Sequence, residues 1–184
     1  GMVSRLVEQK GLDLIKAVSP TLVGLDATWV FLGSGEGRYE RWLENLAGVH
    51  PTRVGAVVGF DESLAHLVEA GSDAFLMPSK FEPCGLNQMY SLRYGTVPIV
   101  RAVGGLDDTV QPYTARALRA NGFKFQEPTP EALLRTVRQA LRLYRDRPVW
   151  EKLVRQGMSE DHSWRQRTRE YVRVYRRARH DHRW

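Results

Sequence analysis

DAFLMPSKFEPCGLNQMYSLRYGTVPIVRAVGGLDDTV, residues 73–110, decides the fold. The run Ala74–Pro78 is apolar without period-two alternation, which predicts a parallel strand covered on both faces. A tight polar loop follows, then a helix opening near Gly85, a second strand over Val97–Arg101 and a glycine loop at Gly104-Gly105. Pro83 cannot extend a helix backwards, and Gly85 lets the backbone approach a ligand closely. A helix beginning there turns unpaired N–H groups and the positive end of its dipole toward the loop, which makes an anion site. Glu82 beside it supplies two acceptor oxygens, suited to sugar hydroxyls or to a developing positive charge. A diphosphate joined to a sugar satisfies both features.

Outward from this stretch, strands alternate with helices. Gly1–Leu6 reads as a strand, and Leu12–Leu22 as a helix interrupted by Pro20. Ala27–Leu32 is a strand that runs into the loop Gly33–Gly37, whose spacing is not a dinucleotide fingerprint and reads as a plain turn. Tyr39–Leu46 is a helix with Trp42, Leu43 and Leu46 on one face; Val54–Phe60 is the third strand. Asp61 caps a helix through Glu69, with Leu64, Leu67 and Val68 as its buried stripe. A short strand at Phe123–Phe125 and helices over Pro130–Tyr144, Val149–Gly157 and from Ser163 complete the chain. The expected fold is a Rossmann-like α/β domain: one parallel sheet of about six strands, helices on both faces. Arg5 and Lys10 then flank a turn at the carboxyl end of a strand, where open α/β sheets bind ligands.

Composition narrows the function class. A chain of 184 residues, 42% hydrophobic, closes one core, and no apolar segment is long enough to span a membrane. No charged-then-apolar signal pattern opens it. Cys84 is the single cysteine, so no intramolecular disulfide forms, and the five histidines are scattered with no zinc-type cluster. The formal charge of +6 comes from arginines concentrated on helical patterns after Pro130. These read first as solvated helix faces and second as a cationic mouth attracting an anionic nucleotide sugar. No nucleic-acid module is recognisable.

SKFEPCGLNQMYSLRYGTVPIVRAVGGLDDTV closely resembles the donor-site motif of bacterial glycogen synthases and plant starch synthases, retaining GT-B glycosyltransferases that commonly use ADP-glucose. The resemblance runs from MVSRLVEQKGLDL through FLGSGEG to HSW, almost the whole chain, and matches only the second of the family's two domains. It implies that residues 1–184 are a single donor-binding domain, the C-terminal half of a GT-B fold, with the N-terminal acceptor domain absent from this chain. SRLVEQKG matches the family's arginine and lysine that hold the donor diphosphate, so Arg5 and Lys10 are expected there. Two fixed cations stabilise the negative charge of a departing nucleoside diphosphate.

The same resemblance gives Glu82 the glucose, and Gly85 and Leu86 backbone N–H groups to the diphosphate. Arg5, Lys10 and Glu82 are the expected catalytic residues. Phe60 stands near the nucleotide base, where relatives often carry tyrosine; as an isolated aromatic it reads equally as core. Cys84 falls beside the donor sugar, in packing or a weak polar contact and not as a nucleophile. Many retaining GT-B enzymes carry a second glutamate eight positions on, where this chain has Tyr90, as the glycogen-synthase group does. One carboxylate remains where double displacement uses two. The family's same-face transfer, in which the departing phosphate helps deprotonate the incoming hydroxyl, is implied instead.

The function implied is transfer of glucose from ADP-glucose, with UDP-glucose the other donor, to the non-reducing end of an α-1,4-glucan. The fragment alone is expected to be inactive. No metal or other cofactor, nucleic acid or membrane partner is expected, and the compartment is a bacterial cytoplasm or a plastid. The alternatives are a catalytically silent nucleotide-sugar-binding or interaction module, and a related α-glucosyltransferase with another donor. Trp164, Thr168, Tyr171, Val172 and Tyr175 form a stripe on the last helix. That helix is expected to pack on its own domain through the Trp164 end, with the segment after Tyr175 poorly held.

Overall fold

The computed structural model describes residues 1–117 and 119–181. Within them, strands Met2–Val3 (β1), Trp29–Gly33 (β2) and Val54–Val58 (β3) pair in parallel, with Met2 opposite Phe31 and Phe31 opposite Ala56. Ala74–Met77 (β4), Val97–Arg101 (β5) and Phe123–Phe125 (β6) form a second parallel set, with Phe75 opposite Pro98 and Val100 opposite Lys124. These are the six parallel strands expected from sequence, in two hydrogen-bonded sets ordered β1-β2-β3 and β4-β5-β6. They meet at β1 and β4, where the Leu76 amide donates to the Gly1 carbonyl at 2.8 Å. Read across both, the order is 3-2-1-4-5-6, the doubly wound arrangement. Gly1 makes this junction from both sides, since its amino group also donates to the Ala74 carbonyl at 2.8 Å. The chain beyond β1 still bonds to the edge of β2, Ser4 N–H to the Leu32 carbonyl at 3.1 Å and Leu6 N–H to that of Ser34 at 2.8 Å.

The first helix, Leu12–Leu22 (α1), buries Leu12, Leu14, Ile15, Val18 and Leu22 at helical spacing. It runs through Pro20, where an interruption was expected. Pro20 cannot serve the Lys16 carbonyl, and the Ser19 hydroxyl donates to it instead at 2.9 Å. Helix Gly37–Val49 (α2) buries Tyr39 and Leu43 and packs Trp42 and Leu46 against the same core.

In Glu62–Gly71 (α3) the Asp61 carboxylate accepts from the Leu64 amide at 2.8 Å, the expected cap. Of the expected stripe Val68 is buried and Leu64 half-buried, but Leu67 is exposed and Glu69 is buried instead. Ala65, Val68 and Glu69 stand at i, i+3 and i+4, so the face turned to the sheet carries an acid where leucine was expected. Glu69 is only 3% exposed, and burial pushes its carboxyl up to about 7, opposed by His66, whose Nδ1 lies 4.0 Å away. The folded protein keeps this proton to about pH 7, whereas the unfolded chain releases it near 4.5. Stability from this group is therefore complete below pH 4.5 and declines as pH rises through 7. Glu69→Gln should match the parent at pH 5 and exceed it by about 1–2 kcal/mol at pH 8 in urea unfolding. Equal curves at pH 8 would show a carboxylate that meets water freely.

Helix Asn87–Tyr94 (α4) follows β4, and Gly104–Thr109 (α5) follows β5 where a glycine loop was expected. Helices Pro130–Tyr144 (α6) and Arg147–Ser159 (α7) close the main core, where the Phe123 ring stacks on Trp150 with centroids 6.1 Å apart. A smaller cluster, Val100, Leu106 and Val110 with Met77 and Val103, lies at α5. The last helix, Trp164–Asp181 (α8), corrects the expected packing through its Trp164 end. Trp164 is 74% exposed, Tyr171 and Tyr175 are exposed as well, and the Trp164 and Tyr171 rings lie 6.0 Å apart on each other. The main core ends on α7 at Leu153 and Val154, one helix earlier. Of the segment after Tyr175, residues 182–184 lie outside those described. Among the described residues no helix is long and apolar enough to cross a membrane.

Candidate functional site

At the carboxyl ends of β1 and β4, the two inner strands, a cavity of about 330 Å³ opens. Arg5, Lys10, Glu82, Gly85 and Leu86 all line it, joined by Ser4, Ser79 and Asn87. Phe60 and Cys84 are not among its lining residues: Phe60 is 91% exposed on the loop after β3, and Cys84 is exposed on the loop between β4 and α4.

Each side chain is delivered by a local device. Arg5 leaves β1 just as that strand ends; among the described residues its guanidinium has no hydrogen-bond or ion-pair partner. Lys10 ends a 3-10 turn, Glu8–Lys10, closed by the Lys10 amide on the Val7 carbonyl at 3.0 Å and the Gly11 amide on that of Glu8 at 2.9 Å. Gly11 has φ +78°, and a Cβ there would run into the Pro78 carbonyl, so only glycine lets turn and loop touch. Across this contact the Lys10 ammonium pairs with Glu82 Oε2, both side chains being largely buried. The Ser79 hydroxyl donates to the same oxygen at 3.4 Å. Lys10 and Glu82 balance each other, and Arg5 remains as unpaired positive charge at the mouth.

The expected helix at Gly85 begins two residues later, at Asn87, with Leu86 in the capping position and no side-chain cap. Gly85 spends its freedom on a left-handed conformation, φ +68°. Gln88, 0% exposed, secures the turn: its Nε2 donates to the Cys84 and Gly85 carbonyls and the Thr109 hydroxyl, each at 3.2 Å. With those carbonyls engaged, Gly85, Leu86 and Asn87 line the cavity at a helix start whose first amides lack intrahelical acceptors. Asn87 also ties α4 to β1, its Nδ2 donating to the Val3 carbonyl at 3.1 Å. Ser79, Asn87 and Gln88 were not singled out from sequence, where they stand among other polar residues of the same loop and helix start. Tyr90, eight residues after Glu82, is exposed, its ring 6.3 Å from that of His66.

Chemically, the cavity offers one guanidinium, one ammonium, a helix start and a carboxylate. It matches a ligand with both an anionic and a hydroxyl-rich part.

Residues 1–157 match the family described as Glycosyl transferases group 1. The chain belongs to that family. It is 57% identical over 176 residues to a glycogen synthase of Anaeromyxobacter dehalogenans, covering 96% of this chain and 37% of that protein. A glycogen synthase of Koribacter versatilis is 53% identical over 178 residues, with 97% and 37% covered. The chain therefore spans little more than a third of the length of the curated relatives it matches. Among solved structures, the catalytic domain of starch synthase IV from Arabidopsis thaliana, bound to ADP and acarbose, superposes with a TM-score of 0.87. It is 35% identical, over 96% of this chain and 37% of that one. Anabaena Alr3699/HepE in complex with UDP-glucose, 17% identical at a TM-score of 0.67, shares the fold over 86% of this chain and 43% of that one. The glycosyl transferase match thus covers every strand and the whole cavity, and stops short of α8.

Proposed function

We propose that this chain is the donor-binding half of a glycogen or starch synthase, and that its whole enzyme moves glucose from ADP-glucose to the non-reducing end of an α-1,4-glucan with retention. The observation that carries the proposal is the convergence of Arg5, Lys10, Glu82 and the start of α4 on one cavity at the inner strand ends. Arg5 and Lys10 hold the diphosphate and neutralise the charge that builds as it departs. The Gly85 and Leu86 amides bind its oxygens at the helix start, and Glu82 grips glucose hydroxyls. Phe60, exposed on the β3 loop, is free to stack on the base, and Cys84 packs by the sugar. With a single carboxylate in the cavity, same-face transfer is favoured over double displacement. The acceptor side belongs to an N-terminal domain outside this chain. Adenine is the favoured base because the 35% identical starch synthase holds ADP.

Lys10→Ala should weaken ADP binding by about tenfold to a hundredfold in calorimetry, the range for a charge-assisted contact to phosphate. Unchanged affinity in a chain that binds well would refute the assignment. UDP competing as strongly as ADP in the same titration would move the donor to UDP-glucose.

A further inference from the structure

The loop that carries Glu82 and the turn that carries Lys10 come from opposite ends of the site's sequence, and something must hold them in register. Two stitches run through Gln9: the Lys80 amide donates to the Gln9 carbonyl at 2.8 Å, and the Gln9 side-chain amide donates to the Phe81 carbonyl at 3.1 Å. The Lys80 side chain supplies a third. Its ammonium lies 2.7 Å from Asp13 Oδ2 at the start of α1 and 2.9 Å from Glu8 Oε1 on the turn. Glu8 in turn accepts from Arg38 at 3.0 Å on α2, and Arg38 also bonds Glu36 at 2.7 Å. The other oxygen of Asp13 is buried without a hydrogen-bond partner, so Lys80 carries that carboxylate. Arg101 holds the loop from its far side, donating to the Ser79 carbonyl at 2.7 Å and to that of Lys80.

Lys80 itself does not line the cavity. We propose that it is a positioning residue: by bridging Asp13 and Glu8 it clamps the 79–82 loop to the 8–11 turn and so sets Lys10 and Glu82 side by side. The inference rests on the cavity being the donor site. Both carboxylates hold the Lys80 ammonium above its ordinary range, Asp13 foremost, in keeping with a permanently charged bridge.

The test titrates ADP into the parent chain, Lys80→Met, Lys80→Arg, Lys10→Ala and the Lys10→Ala/Lys80→Met pair, and follows amide hydrogen exchange at Lys80 and Phe81. Lys80→Met should lower ADP affinity by about fivefold to tenfold, and Lys80→Arg, whose fork also spans two carboxylates, should stay within about twofold of the parent. In the Lys10→Ala background Lys80→Met should cost less than about twofold, because its effect travels through Lys10. Exchange at the Lys80 amide should quicken in Lys80→Met and not in Lys80→Arg. A purely structural lysine would lower the melting temperature and leave the affinity losses additive, which overturns the proposal. Parent-like binding by Lys80→Met, with Lys10→Ala weakened, overturns it also and leaves the donor site standing. Parent-like binding by Lys10→Ala sinks the donor site itself, and the proposal with it. If Lys80→Met does not fold, Glu8→Gln removes one end of the bridge, and should still weaken ADP by about twofold to threefold; no change there overturns the proposal.

Discussion

Gly105→Ala is expected to destabilise the chain by about 3 kcal/mol and to abolish measurable ADP binding, the signature of overpacking against a rigid backbone. A Cβ at Gly105 would lie 2.5 Å from the Cys84 carbonyl carbon and 2.7 Å from the Cys84 Cα, with the carbonyl oxygen nearer still. These are main-chain atoms of the loop between β4 and α4, not the tip of a flexible side chain. The Gly105 amide also donates to the Pro83 carbonyl at 3.0 Å, so loop and α5 touch backbone to backbone. Gly104 adds a second constraint: at φ +47° it sits in the left-handed region, and a Cβ there would strike the Glu82 carbonyl. An alanine must therefore push away the turn that presents Glu82, Gly85 and Leu86. Urea unfolding and ADP titration read the two effects. Gly48→Ala in α2 is the control, since its Cβ meets nothing within 4 Å; it should gain about 0.5–1 kcal/mol from helix propensity. A Gly105→Ala chain that melts and binds like the parent would mean that α5 does not abut the loop.

The second large effect belongs to β4. Phe75 is 0% exposed on a strand flanked by β5 on one side and β1 on the other. Phe75→Ala should cost about 3–5 kcal/mol, the sum of lost transfer energy and a cavity the packed neighbours cannot close. Against a total of about 5–15 kcal/mol for a domain, that is a large share of what holds the fold. The unfolding midpoint should fall with little change in the denaturant slope, while the folded fraction keeps its affinity for ADP. A loss below about 1 kcal/mol would show that β4 repacks, contrary to a jigsaw-packed core.

Periodicity made the strand–helix alternation legible, and β5, β6, α1 and α6 lie where the apolar pattern puts them. It failed where a distant partner decides. Two glycines at 104 and 105 looked like a loop because their helix exists to press on Pro83 and Cys84, a contact no local pattern records. Leu67 outranks Glu69 on any hydropathy scale, yet rotation of α3 buries the acid. The parallel sheet of about six strands was legible, but the seating of β1 against β4, some seventy residues away, was not. At the cavity the gap is wider: Lys10 and Glu82 are 72 residues apart, and only a resemblance to whole motifs set them in one site. Ser79, Lys80 and Gln88 were invisible for the same reason, since a polar residue says what it can bond, not what it meets.

The pairing of Lys10 with Glu82 also makes the carboxylate a guarded group. On the proposed donor role, a neutral sugar arriving alone meets a carboxylate already half engaged by an ammonium, and it brings nothing to offer that ammonium in exchange. A molecule bearing phosphate and sugar together engages both members of the pair, so neither charge is left without a partner. The site's own ion pair would then be the gatekeeper against the unactivated sugar.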